Sequence, residues 1–121
     1  ATATHEMKLA ARDDFGAAAL SELVQLDEAG FRALFSASPI KRIGHARFLR
    51  NVLIAIGNSG DDALLPHAEA RLTDPDPLIR GAAVWAVRRL APAEMGRRLA
   101  LDFLQREADT TVRSEWTAEL S

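Results

Sequence analysis

The sequence predicts an all-α protein, a helical-repeat solenoid of about three helix pairs that connecting helices precede. Apolar residues recur at helical spacing, as Leu20, Leu23 and Val24 do, and no stretch alternates apolar and polar residues as a half-buried strand would. Alanine and leucine dominate the 121 residues and tyrosine is absent, which favours helices that pack closely through small side chains. The helical pattern also recurs every 30 to 33 residues, a period typical of stacked helix pairs.

The first third of the chain predicts three short helices. They are expected over residues 3–15, 17–26 and 28–35. Asp27 is a good N-cap for the third helix, because its carboxylate can accept a hydrogen bond from a backbone N–H of the first turn. A break is expected before Pro39, since the residue that precedes a proline avoids the helical region.

The remainder predicts longer helices that clear turns separate. The turn 57–60 closes a strongly apolar helix. Asp76 caps another helix and Pro77 stands at its first position, where a missing N–H costs nothing. Asp109 or Thr110 caps the last one. The expected helices cover residues 48–56, 61–72, 78–90, 92–107 and 112–120.

Three of these helices carry the same residues at matching places. Arg50, Arg80 and Arg113 follow one another at intervals of 30 and 33 residues, and Trp85 and Trp116 lie 31 residues apart. An Asp-Pro-x-x-Arg turn that leads into an alanine-rich helix resembles the short HEAT-like repeat. In such repeats the arginine often bonds carbonyls or an acid of the adjacent repeat, which favours a structural role for Arg80 over a functional one.

Positive charge is concentrated in one segment of an otherwise slightly acidic chain. The formal net charge is -2, yet residues 29–60 contain no carboxylate and five cations: Arg32, Lys41, Arg42, Arg47 and Arg50. Such a patch attracts an anion, and a nucleic-acid backbone is the usual large one. The alternative is an ordinary solvated face whose arginines cap helices or pair with acids elsewhere.

The candidate contacts to nucleic acid lie in the second half of this segment. Lys41 and Arg42 would bind phosphates, and Asn51 could hydrogen-bond a base or a sugar, or equally cap a helix. The full candidate set is Lys41, Arg42, His45, Arg47, Arg50 and Asn51. Phe31, Phe35 and Phe48 lie near this segment and could stack on bases, but their helical spacing favours the core. Trp85 and Trp116 are likewise expected in the core.

The sequence offers no catalytic or metal-binding constellation. There is no cysteine, hence no disulfide, no thiolate nucleophile and no iron–sulfur ligand. The three histidines lack metal-ligand spacing, and adjacent carboxylates such as Asp61 and Asp62 are explained by helix capping. No apolar run is long enough to span a membrane, and the first residues lack the features of a signal peptide. We therefore expect a cytoplasmic chain, and the missing initiator Met suggests that it begins inside a longer one.

Most of the chain closely resembles the C-terminal part of bacterial epoxyqueuosine reductases. The specific blocks are LDEAGFRALF at 26–35, SPIKRIG at 38–44 and RFLRNVLIAIGNSG at 47–60, and HEMKLAAR at 5–12 extends the likeness upstream. The resemblance implies an enzyme that completes queuosine in the tRNA anticodon with cobalamin and two four-iron clusters. Those groups belong to a catalytic part that would lie N-terminal to these residues. At position 45, many relatives are expected to carry Arg where this chain has His.

The resemblance implies a division of labour along the chain. Residues 1–46 would connect to the missing catalytic part, residues 47–121 would form HEAT-like repeats, and both would fold as one unit. The fragment would bind the tRNA anticodon stem-loop as a monomer, next to the catalytic part of the same parent chain, without cofactor or reductase activity of its own. The alternative function is a protein–protein scaffold, since helical solenoids commonly bind proteins on their concave face.

Overall fold

The computed structural model describes residues 16–119, and within them every regular element is a helix. The all-α prediction is therefore confirmed, while the helix expected over residues 3–15 lies outside the described residues. Two short 3₁₀ helices, Pro39–Ile43 and Asp62–Leu64, accompany the α-helices. The α-helices are α1 (Ala17–Val24), α2 (Glu28–Phe35), α3 (His45–Asn58), α4 (Leu65–Glu69), α5 (Pro77–Leu90), α6 (Ala93–Leu104) and α7 (Thr110–Thr117).

The predicted N-caps are confirmed where an aspartate precedes a helix. Asp27 accepts a hydrogen bond from the Gly30 N–H at 2.7 Å, and Asp76 accepts one from the Leu78 N–H at 2.9 Å with Pro77 at the first helical position. Of the two candidates for the last cap, Asp109 fills the role, because its carboxylate accepts from the Val112 N–H at 2.9 Å. Each cap satisfies a backbone donor that the helix itself leaves unpaired.

The prediction of a single helix over residues 61–72 is wrong. Asp61 caps the 3₁₀ turn Asp62–Leu64 instead, and the α-helical segment runs only over Leu65–Glu69. Pro66 explains the division, since it has no N–H and its ring would clash with the carbonyl four residues earlier in a continuous helix. In the observed arrangement Pro66 occupies the first turn of α4, where it breaks no hydrogen bond.

An aromatic cluster anchors the N-terminal end of the core. Phe31, Phe35 and Phe48 are almost fully buried, with ring centroids 5.1 to 5.2 Å apart, which confirms them as core residues. Trp116 is also buried and stacks on Phe103 at 5.8 Å. Trp85 is half-buried and packs against this core from its edge.

Helices α3, α5 and α7 lie side by side and run in the same direction. Arg89, near the end of α5, donates to the carbonyl of Gly57, near the end of α3. Arg88 likewise reaches the carbonyls of Glu115 and Ala118 at the end of α7, both at 2.7 Å. Parallel helices joined by a returning helix are what stacked helix pairs produce. No helix in the described part of the chain has the length and apolar character to cross a bilayer.

The turns that open α5 and α7 repeat one hydrogen-bond pattern. The carboxylate of Asp74 accepts the Asp76 N–H at 2.8 Å, and the carboxylate of Glu107 accepts the Asp109 N–H at 3.0 Å. Both acceptors lie two residues before the capping aspartate. The 33-residue spacing seen in the sequence therefore reflects two copies of the same turn. The boundary expected at residues 46 and 47 falls within the first turn of α3.

Candidate nucleic-acid interface

Four of the predicted contact residues lie together where the chain enters α3. Lys41 and Arg42 belong to the 3₁₀ helix Pro39–Ile43. Arg47 and Arg50 are three residues apart on α3, so these two arginines share one face of that helix. All four are exposed, and we call them the basic surface. Gly44 connects the 3₁₀ helix to α3. Its φ of 84° lies in the left-handed region, which favours glycine.

The charge of the basic surface is not neutralised by any residue that the structure describes. Lys41, Arg42 and Arg47 make no hydrogen bond or ion pair there, and Arg50 reaches only the Asn51 side chain, at 3.5 Å. A bond of that length is at the limit of a hydrogen bond and leaves the guanidinium free to take another partner. Exposed, unpaired cations of this kind attract a polyanion at modest desolvation cost.

Arg32 lies outside this surface in chemical terms. Its Nε donates to the carboxylate of Glu28, one helical turn earlier, at 3.2 Å. Glu28 lies immediately before residues 29–60, the segment without carboxylates. The charge count over that segment therefore did not include the acid that pairs with Arg32. The exposed pair is locally neutral, and Arg32 adds little to the field of the basic surface.

His45 and Asn51 are placed differently from the four cations. The His45 ring is half-buried, its Nε2 lies 2.5 Å from the Leu26 carbonyl, and it packs against Phe31 at 5.8 Å between centroids. The carbonyl can only accept, so Nε2 carries the proton and His45 ties α3 to the turn before α2. Asn51 is half-buried in the middle of α3, four residues after Arg47 on the same face, where it caps no helix.

The repeated arginines show why Arg50 is available. Arg80 binds the Glu107 carboxylate through two nitrogens, at 2.9 and 2.7 Å, and also reaches the carbonyls of Asp74 and Pro75. Arg113 binds the carbonyl of Glu107 at 2.9 Å, six residues before it, as Arg80 does with Asp74. The structural role predicted for Arg80 agrees with these bonds. Arg50, at the matching position of the first repeat, has none of them.

The Arg80–Glu107 pair is largely shielded from solvent, with side chains 20% and 9% exposed. The hydrogen bond from Arg80 holds the pKa of the Glu107 carboxyl below its usual value, and the Asp109 N–H acts in the same direction against the effect of burial. The same hydrogen bond raises the pKa of Arg80. The pair joins the turn before α7 to α5 and takes both charges out of the surface field.

Beside the basic surface lies a groove that sequence reasoning missed. It has a volume of about 420 Å³ between α3, α5 and α7, within the usual range of ligand pockets. Its floor is apolar, formed by Ile54, Leu78, Ala82 and Trp85, and Arg50 and Glu115 stand at its edges. The signal in the sequence was a pair of small residues, Gly81 and Ala82, close to Trp85. Small side chains leave room between neighbouring helices.

The described residues contain no cluster of three or more His, Asp or Glu side chains placed to hold a metal ion. The basic surface and the adjoining groove are therefore considered as sites for a ligand other than a metal ion. Both depend on α3, whose first three turns carry Arg47, Arg50 and Ile54 at helical spacing.

No model of a protein family matches the chain, but comparisons with individual proteins are informative. It is 39% identical over 85 residues to the epoxyqueuosine reductase of Xanthomonas campestris, covering 69% of this chain and 24% of that protein. It is 35% identical over 85 residues to the epoxyqueuosine reductase of Escherichia coli, covering 69% and 22%. The chain thus spans about a quarter of the length of these curated relatives.

Solved structures support the same relationship at the level of fold. A crystal structure of epoxyqueuosine reductase with an epoxyqueuosine-modified stem loop of tRNA-Tyr superimposes with a TM-score of 0.74 at 24% identity. The match covers 81% of this chain and 26% of that protein. A selenomethionine-labelled epoxyqueuosine reductase gives the same values. The matched region of a longer enzyme therefore has the same helical architecture.

Proposed function

This chain is homologous to one segment of the epoxyqueuosine reductases, and we propose that it is the C-terminal, tRNA-binding part of such an enzyme. It holds the anticodon stem-loop while the catalytic part of the same parent protein reduces epoxyqueuosine to queuosine. The fragment itself performs no reduction. The observation that carries the proposal is the basic surface, whose cations have no acidic partner among the residues that the structure describes.

The physical argument is that unpaired cations on one face bind a phosphodiester backbone by releasing its counterions. Lys41 and Arg42 lie on one turn, and Arg47 and Arg50 follow on the next helix, so successive phosphates can meet successive cations. Several other arginines of the described chain bind carbonyls or carboxylates, as Arg80 and Arg113 do. Arg97 and Arg98 on α6 are exposed and have no described partner, but they stand as a single pair on another helix. The proposal assigns RNA binding to the edge that carries the basic surface, where four such cations follow one another.

The reductive chemistry belongs elsewhere in the parent protein. The resemblance implies cobalamin and two four-iron clusters, and the residues present here do not fit the clusters. Such clusters are held by cysteine thiolates, and none of the 121 residues is a cysteine. We therefore derive no redox step from this chain and assign to it the positioning of RNA.

The test replaces two phosphate contacts and measures the salt dependence of binding. The Lys41→Ala, Arg42→Ala double variant should bind the anticodon stem-loop more weakly. The slope of log affinity against log salt should flatten by at most about two units, since each lost contact removes about 0.7 to 0.9 released counterions. A matched control is the Arg97→Ala, Arg98→Ala double variant on α6, which removes two exposed cations that also lack described partners.

The control separates a defined interface from general charge attraction. Both double variants lower the net charge equally, so only a defined interface makes the loss at residues 41 and 42 larger. Unchanged affinity and slope in a folded Lys41→Ala, Arg42→Ala variant would contradict the proposal. The same substitutions should be placed in the parent enzyme, where loss of reductase activity towards tRNA should follow the loss of binding. If the Lys41→Ala, Arg42→Ala substitutions change neither RNA binding nor the reductase activity of the parent enzyme, a role as a protein–protein scaffold becomes the better explanation.

A further inference from the structure

We propose that the groove beside the basic surface binds one unstacked nucleobase, with guanine as the best fit. This inference rests on the proposed function and adds a site to it. Arg50 would contact the phosphate of the bound nucleotide, the apolar floor would cover the face of its base, and the carboxylate of Glu115 would accept hydrogen bonds from the edge of the base.

The floor of the groove is suited to a flat, apolar surface. Leu78 is 41% exposed, and the half-buried Trp85 lines the same groove. Arg89 lies over the Trp85 ring at 4.8 Å and fixes its orientation. Bases displaced from a loop are commonly held against aromatic and apolar side chains, a contact that any base can make.

The groove is also open at its centre. A Cβ placed on Gly81 would come no closer than 3.8 Å to Val112 and 3.9 Å to Glu115. These are ordinary van der Waals separations, so a Cβ fits at this position and contacts α7. Because Gly81 lines the groove, a longer side chain there would take up part of the groove volume.

The charges at the edges distinguish a nucleotide from an apolar peptide. Arg50 joins the groove to Lys41, Arg42 and Arg47, and it has only the 3.5 Å contact to Asn51. On the other side, the carboxylate of Glu115 has no partner among the described residues, because Arg88 binds its backbone carbonyl instead. A nucleotide places an anion at one end and N–H donors at the other, which matches this polarity.

The carboxylate favours guanine among the four bases. An ionised carboxylate only accepts hydrogen bonds, and guanine presents two adjacent N–H groups on its Watson–Crick edge, at N1 and N2. Adenine and cytosine present a single exocyclic amino group next to a ring acceptor, and uracil presents only one ring N–H. Guanine is therefore the base that satisfies both oxygens of Glu115 together.

The experiment compares three stem-loop RNAs that differ at one unpaired loop position: guanosine, inosine, which lacks the N2 amino group, and an abasic residue. The full 121-residue chain should bind the guanosine RNA more tightly than the other two. Gly81→Met should fill the groove and weaken binding of the guanosine RNA by about 5- to 100-fold, the range expected for losing a base–aromatic contact. Its binding to the abasic RNA should stay the same.

Two further variants keep the outcome interpretable. Gly96→Met on α6 makes the same substitution outside the groove, where a Cβ meets nothing within 4 Å, and this control should leave all three affinities unchanged. Glu115→Gln replaces a side chain at the groove edge and should abolish the preference for guanosine over inosine. A circular dichroism spectrum and thermal unfolding curve check that each variant is folded.

The result also separates this proposal from the proposed function. If binding falls steeply with salt but none of the three RNAs is preferred, and Gly81→Met and Glu115→Gln bind like the unaltered chain, the base site is refuted while tRNA binding by the basic surface stands. If no RNA binds in a salt-dependent way, both proposals fail.

Discussion

At the scale of single residues, Gly57 sets the distance between α3 and α5. A Cβ at this position would lie 2.5 Å from Trp85 Cζ3 and 3.1 Å from the Ala86 Cα. The second of these is a backbone atom, so it cannot move aside as the end of a flexible side chain could. The close approach keeps Trp85 at the end of the groove, and the site therefore depends on a residue that cannot itself contact a ligand.

We predict that Gly57→Ala lowers the free energy of unfolding by about 1–2 kcal/mol, because overpacking costs more than the added helix propensity returns. Gly96→Ala is the control. Its Cβ would meet nothing within 4 Å, and alanine in a helix should raise stability by about 0.5–1 kcal/mol. Urea unfolding followed by circular dichroism measures both. Equal stability gains for the two variants would contradict the close contact at Gly57.

At the scale of elements, the turns between helices are joined by arginines. Arg71 connects α1 to the turn after α4, donating to the Val24 carbonyl at 2.7 Å and to the Asp74 carboxylate at 3.0 Å. Arg80 performs the equivalent task one repeat later through Glu107. The bond from Arg71 satisfies the Val24 carbonyl at the end of α1, which the helix itself leaves unpaired. The connections between repeats are therefore polar, while the packing between parallel helices is apolar.

The Arg80–Glu107 pair predicts a pH dependence of stability. The folded state lowers the pKa of Glu107 below the value of 4.5 that applies without the interaction. Its contribution is therefore fully present above about pH 4.5 and is lost as the pH falls through the lowered folded value. Glu107→Gln should lower the free energy of unfolding by about 1–3 kcal/mol at pH 7 and flatten the acid branch of the stability profile.

The control for this prediction is Glu28→Gln, which removes the exposed pair with Arg32, whose side chains are 61% and 68% exposed. Exposed pairs contribute little, so this variant should change the free energy of unfolding at pH 7 by less than about 1 kcal/mol. Thermal unfolding across a series from pH 3 to pH 7 measures both. The same acid branch in Glu107→Gln and in the unaltered chain would rule out the proposed linkage.

At the scale of the whole molecule, one continuous apolar core extends from Leu20 in α1 to Trp116 in α7. The basic surface lies at the α3 side of this core, and the carboxylate of Glu115 lies across the groove on α7. The molecule therefore presents a charge gradient across three parallel helices. If the proposed base site exists, such a gradient would orient the nucleotide as well as attract it, because phosphate and base edge carry opposite polarity.

The whole chain also predicts the outcome of a cofactor analysis. The purified 121-residue chain should contain no iron or sulfide, because it has no cysteine to hold a cluster. It should also contain no cobalamin, which the resemblance places in the catalytic part of the parent protein, and it should therefore show no visible absorption band. Metal analysis after gel filtration checks the iron content, and a reductase assay on modified tRNA checks for activity. A coloured species that survives chelation and gel filtration would overturn the assignment of redox chemistry to another part of the parent protein.

The sequence alone determined the helical class, most of the helices, the repeat and the position of the basic surface. These features depend on local signals: caps such as Asp27, Asp76 and Asp109 act on backbone groups within a few residues, and the excess of cations is visible along the chain. Pro66 carried a local signal as well, and it accounts for the one helix that was predicted as continuous and is divided.

Only the tertiary structure decided which cations are free and where an apolar groove opens. Arg80 and Arg50 are equivalent in sequence, yet one binds Glu107 and the other has no comparable partner. The difference depends on groups about 30 residues away, whose positions follow from helix stacking rather than from local propensity. The groove likewise exists because residues of three helices line one space, among them Ile54 on α3, Trp85 on α5 and Glu115 on α7, and contacts between distant parts of the chain form only when the whole core packs.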